Sequence, residues 1–195
     1  MGPGRWPAIH RRGGRWIALL LVLVQCLSSL PAAQGAGYED PLSALKVAFV
    51  YNFTRFVQWP QAPASRPFVI GVIGDPVLEG QLRVLEREAK GVAGRPIQIR
   101  AYGGPEAIAP SEILFVGAQA RGELEAILRR TAGWPTLLVG DGPGDAARGL
   151  AIELFRKPDI FGKTERLGLR INPGAIEDRG LKVSAQLYDV AEVLR

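Results

Sequence analysis

Residues 68–74 read Phe-Val-Ile-Gly-Val-Ile-Gly, an apolar run rich in β-branched side chains, and Asp75-Pro76 follows at once. No polar residue interrupts the run, so a strand here is buried on both faces. Asp75 suits a helix N-cap, and Pro76 suits the first helical position, where a missing N–H costs nothing. A doubly buried strand feeding straight into a helix is half of a βαβ unit. Such units assemble into a parallel sheet covered on both sides. Leu78, Leu82 and Leu85 carry the helix on for about 15 residues.

The rest of the chain keeps to this pattern. Gly91–Pro96 read as a turn and Ile97–Ala101 as an alternating strand. Ile113–Val116 and Thr136–Val139 are further buried strands, with a helix over 119–131 between them that turns Leu124, Ile127 and Leu128 inward. Two alternating segments, 150–155 and 167–172, read as an antiparallel pair. A short helix at 173–179 and a last helix at 184–194 close the chain. Ser184 is placed to cap that last helix, with Leu187, Val190, Ala191 and Leu194 facing in. The expected fold class is α/β: three layers, a mostly parallel sheet with helices on both faces, and an antiparallel C-terminal strand pair.

A leader precedes this domain. Residues 1–35 carry Arg5, Arg11, Arg12 and Arg15, no acid, an apolar run from Trp16 to Leu23, and then small residues. This is the layout of a signal peptide, with Ala33 and Gly35 at the −3 and −1 positions and cleavage before Ala36. Cys26 follows the bulky Gln25, which argues against a lipoprotein site, and the general export route is preferred over a twin-arginine one. The mature chain, 36–195, reads as a single domain in the periplasm. Removing the leader lowers Lys+Arg from 24 to 20 against 19 acids, so the basic balance disappears and nucleic-acid binding loses its main support.

The leader also takes Met1, His10 and Cys26, the only residues of their types. Cys–His, Ser–His–Asp and zinc-thiolate chemistry are thereby excluded from the mature chain, as is any disulfide. No cofactor and no metal is expected.

Residues 42–58 read as an opening helix ended by Trp59-Pro60. One face holds Leu42, Leu45, Phe49, Asn52, Phe53 and Phe56, and the opposite side holds Val47, Val50, Tyr51 and Thr54. A helix apolar on both sides is either sandwiched in the core or offers a partner surface. Val47, Val50, Tyr51 and Trp59 are the candidate partner-binding residues, through which a homodimer or a partner complex would form. Trp59 is either a core lid or a partner anchor, and Asn52 is expected to bond the backbone of a neighbouring loop.

Asp75 and Asp141 each follow a strand ending in glycine, so they are candidates for one ligand crevice at the carboxyl ends of the sheet. Gly140-Asp-Gly-Pro-Gly144 lacks the Lys-Ser/Thr of a phosphate loop and reads as a turn. Arg156, Lys157, Lys163 and Arg166 make the next stretch basic, either as a solvated loop or as a patch for an acidic partner.

Leu45-Lys-Val-Ala-Phe-Val-Tyr-Asn-Phe-Thr-Arg-Phe-Val-Gln-Trp-Pro60 resembles the opening helix of the YfiR family (DUF4154), whose pattern is close to LKAAFLYNFAKFVEWP. Phe68–Asp75, Lys90–Ile97, Ile113–Val116, Leu169–Asn172 and Gly180–Ser184 continue the likeness in order, across residues 42–194. The resemblance implies a non-enzymatic periplasmic regulator that binds and inhibits the periplasmic sensor domain of an inner-membrane diguanylate cyclase. It also implies an outer-membrane lipoprotein that sequesters this regulator. The output would be cyclic-di-GMP level, hence biofilm and motility.

The chain departs from the family pattern in three places. It lacks the family's cysteines, which excludes redox control. It lacks the aromatic of the loop after Val139. It also differs over 156–166. A reading from a different class is a periplasmic small-solute sensor or binding module, suggested by the glycine-terminated strands.

Overall fold

The computed structural model describes residues 41–60, 65–158 and 165–194. The proposed leader, its cleavage site and Lys163 lie outside them. Helix α1 spans Pro41–Phe56 and runs into the short strand β1, Val57–Gln58. Strand β2, Phe68–Ile73, is buried at every position. Helices α2, Pro76–Leu82, and α3, Val84–Arg87, stand where one helix is expected. Leu78, Leu82 and Leu85 are buried as predicted, and the two helices meet at Arg83, which itself keeps helical backbone angles. The hairpin β3, Gly91–Val92, and β4, Arg95–Tyr102, replaces the expected plain turn, with Ala93 and Gly94 at positive φ.

Strand β5, Ile113–Val116, is followed by a 3-10 turn at Ala118–Glu123 and helix α4, Leu124–Arg130. Strand β6, Leu137–Gly140, β7, Ile152–Pro158, and β8, Glu165–Ile171, complete the central strands. Helix α5, Pro173–Glu177, strand β9, Lys182–Val183, helix α6, Ala185–Asp189, and strand β10, Glu192–Val193, follow.

Eight strands form one sheet in the order β10-β8-β7-β6-β5-β2-β4-β3. Neighbours from β4 through β7 are parallel, and β7–β8 is antiparallel with Phe155 opposite Gly168. The expected α/β class is what the chain adopts. Alternate strand residues supply two cores. Ile70, Phe115, Val139 and Ile152 meet Val50 and Phe53 of α1 and Leu82 of α2 on one face. Ile73, Leu114, Val116 and Leu138 meet Leu124 and Ile127 of α4 on the other.

Two expectations need correction. Helix α1 buries residues from both of its apolar sides, Phe53 from one and Val50 from the other, whereas Leu45, predicted inward, is 39% exposed. Apolar residues on two sides leave the buried stripe open, and packing against the sheet selects the one containing Val50 and Phe53. The last helix is also shorter than expected, ending at Asp189, and Ser184 makes no capping bond through its side chain. The chain beyond it adds β10 to the sheet edge, parallel to β8, which leaves Val190 71% exposed.

Candidate functional site

The chain order reverses at β2, because β4 joins it on one side and β5 on the other. The carboxyl end of such a strand is where ligands of open α/β sheets bind. Here the two loops leaving β2 and β5 are pressed together. A Cβ on Gly117 would lie 2.5 Å from the carbonyl oxygen of Gly74, and one on Gly74 would lie 2.4 Å from the amide of Ala120. The open space lies towards β4, as a crevice of about 330 Å³ lined by Asp75, Glu79, Tyr102, Gln119 and Glu123 among others. Asp75 accepts the Leu78 amide at 2.9 Å and so caps α2.

Asp141 does not line that crevice. The proposed pairing of Asp75 with Asp141 is not formed, because β5 stands between their strands. Asp141 is instead ion-paired at 2.5 Å with Lys46 of α1, and both side chains are largely buried. No group of three or more metal-ligating side chains occurs among the described residues.

The glycine loop after β6 is filled from within. The buried Asp145 accepts the Gly142 amide at 2.9 Å, so the protein's own carboxylate takes a donor that a phosphate would need. A Cβ on Gly142 would strike the Arg121 guanidinium. Burial raises the pKa of Asp145, against the opposing pull of the Gly142 amide and of Arg121 and Arg148. Glu153, fully buried, accepts the Ala146 amide at 3.0 Å and Arg170 Nη1 at 2.7 Å. The other Arg170 amine reaches Glu192 at 2.9 Å, and its guanidinium stacks 4.5 Å from the Phe155 ring centre. The basic stretch is partly neutralised, with Arg156 paired to Glu165 at 2.9 Å and Lys157 to Glu192 at 3.9 Å.

Of the candidate partner residues, Val50 is buried in the core and is unavailable to a partner. Val47 and Tyr51 are half-buried and pack against the same core. Trp59 lies edge-on to Phe68 at 5.1 Å and donates Nε1 to the carbonyl of Glu112 at 2.8 Å, the position of a lid. Asn52 is half-buried, and its side chain makes no hydrogen bond to a loop among the described residues. The outer side of α1 presents Ala44, Leu45, Ala48 and Arg55 instead.

Sequence reading missed Lys46, Glu153 and Arg170. Glu153 carries a signal, since it is an acid within the otherwise apolar Ala151-Ile-Glu-Leu154 run, where a buried charge demands a partner.

No curated protein matches the chain. Among solved structures, a conserved domain protein from Vibrio cholerae O1 biovar El Tor strain N16961 is similar in fold, with a TM-score of 0.54 and 15% identity. The match covers 78% of this chain, which spans only 60% of the Vibrio chain's length. The family model described as YfiR/HmsC-like (DUF4154) matches residues 43–192. With nearly all of its described length inside that match, the chain belongs to the YfiR/HmsC-like family.

Proposed function

We propose that this chain is a non-enzymatic periplasmic regulator of cyclic-di-GMP signalling, which binds the periplasmic sensor domain of an inner-membrane diguanylate cyclase and holds the cyclase inactive. The family match over residues 43–192 carries this reading. The geometry is compatible with it. The glycine loop is occupied by Asp145, and Asp75 and Asp141 are engaged in a cap and an ion pair. No helix among the described residues is long and apolar enough to cross a membrane. The outer side of α1, with Leu45 between Ala44 and Ala48, is the surface we assign to the partner or to a second copy in a homodimer. An outer-membrane lipoprotein would compete for the regulator.

Co-purification from solubilised membranes, with the tagged chain as bait, tests the reading. A membrane cyclase should be enriched, and deleting the gene should raise cellular cyclic-di-GMP. No enriched cyclase together with an unchanged nucleotide level would overturn it.

A further inference from the structure

We propose that the chain has a ligand site for a small planar organic carboxylate, at the end of the sheet opposite the Asp75 crevice. A cavity of about 340 Å³ opens where β2, β5 and β6 begin, and Trp59, Trp134, Arg66, Arg100, Ser111 and Glu112 are among its lining residues. That volume lies within the range of small-molecule sites, about 300–1,000 Å³.

Most polar groups around this cavity are already used. Trp59 donates its only side-chain hydrogen to the carbonyl of Glu112, leaving an apolar surface. The Ser111 hydroxyl bonds Tyr102 and the carbonyl of Ala109, and Thr136 bonds the carbonyl of Ser111. Glu112 holds Arg95 with one oxygen and the Val69 amide, at 2.7 Å, with the other. Its charge is therefore spent within the protein.

The two guanidiniums are different. Among the described residues, neither the exposed Arg66 nor the half-buried Arg100 has a carboxylate partner, and Arg100 makes one bond, to Gln98 at 2.9 Å. What remains free in the cavity is donors and positive charge. Four prolines in the lining supply rigid wall without backbone N–H groups. The Arg130 guanidinium lies 5.3 Å over the Trp134 ring and covers one of its faces. The complement of two guanidinium forks and the remaining indole surface is a flat carboxylate, held bidentately at one end and packed on aromatic surface at the other.

This inference does not rest on the cyclase reading, and its test uses no partner. Cinnamate is the probe and cinnamamide its neutral match, titrated into the purified protein by calorimetry. Cinnamate should bind saturably, and cinnamamide at least about tenfold more weakly. Arg66→Gln with Arg100→Gln should weaken cinnamate at least about tenfold while leaving the unliganded melting temperature unchanged. Trp134→Leu should weaken both probes, and if it fails to fold the arginine pair decides alone. No saturable cinnamate binding, equal binding of the two probes, or full affinity in the double arginine variant would each overturn the proposal.

Discussion

Glu153 and Arg170 face each other across β7 and β8, in register, and join at 2.7 Å with the carboxylate fully enclosed. Through this pair the loop after β6 is tied to the chain's last strand. Glu153 holds the Ala146 amide on one side, and Arg170 holds Glu192 of β10 on the other. A buried carboxylate with two donors tolerates its position. The same carboxylate without its cation does not.

Arg170→Met should therefore cost about 3–5 kcal/mol, because it leaves Glu153 charged and unpaired in the core. Adding Glu153→Leu to it should recover much of that loss, since an apolar pair of similar volume avoids the uncompensated charge. Urea denaturation of the two variants checks both expectations. Equal stability of Arg170→Met and the native chain would show that the pair does not hold the loop.

Asp145 sets a pH dependence. Burial disfavours its charged form, so the folded chain keeps this proton to higher pH than the unfolded chain, whose carboxyl titrates near the ordinary 3.8. The native state binds more protons in that window, and stability falls as pH rises. The contribution is full below 3.8 and is lost as pH rises through the raised value. Asp145→Asn keeps an acceptor for the Gly142 amide but has no proton to lose. Native stability relative to this variant should decline with rising pH and then level off, as read by urea midpoints at stepped pH. A difference that grows with pH would mean that Arg121 and Arg148 outweigh burial.

The sheet was legible because its strands announce themselves. Phe68–Ile73 and Ile113–Val116 have no polar residue to place on a solvent face, and Asp75-Pro76 marks the helix that follows. Periodicity left α1 open for the converse reason. With Val47 and Val50 on one side and Leu45 and Phe49 on the other, no single stripe is marked as buried, and packing against Ile70 and Phe115 selects Val50 and Phe53. Lys46–Asp141 was out of reach for another reason. Its partners lie 95 residues apart, and only the docking of α1 on the sheet brings them together. Glu153–Arg170 lies within the expected strand pair, but the register that sets these two residues opposite each other is not written in either segment.

The exposed side of α1 offers a test of the partner surface. Leu45→Asp with Ala48→Asp alters exposed positions and should change stability by only about 0.5 kcal/mol per site. The proposed binding to a cyclase domain, or homodimerisation, should be lost. Val50→Asp places a charge where nothing is exposed and should cost about 4 kcal/mol or more, abolishing the fold rather than the interface. Circular dichroism with analytical ultracentrifugation separates the two effects. Retained association in the folded double variant would remove α1 from the interface.

The proposed signal peptide carries the last expectation. Cys26 is the chain's only cysteine and lies within it, so a chain cut before Ala36 holds no thiol, and dithiothreitol should change neither its melting temperature nor its partner affinity. If Cys26 instead became a lipidated N-terminus, the acyl chains would fasten the domain to a membrane. Intact mass of the protein recovered from fractionated cells distinguishes these outcomes. An unmodified chain starting at Ala36 agrees with the proposed regulator being free of a membrane anchor. A start at Cys26 with added acyl mass would overturn the cleavage site and tether the domain to a membrane.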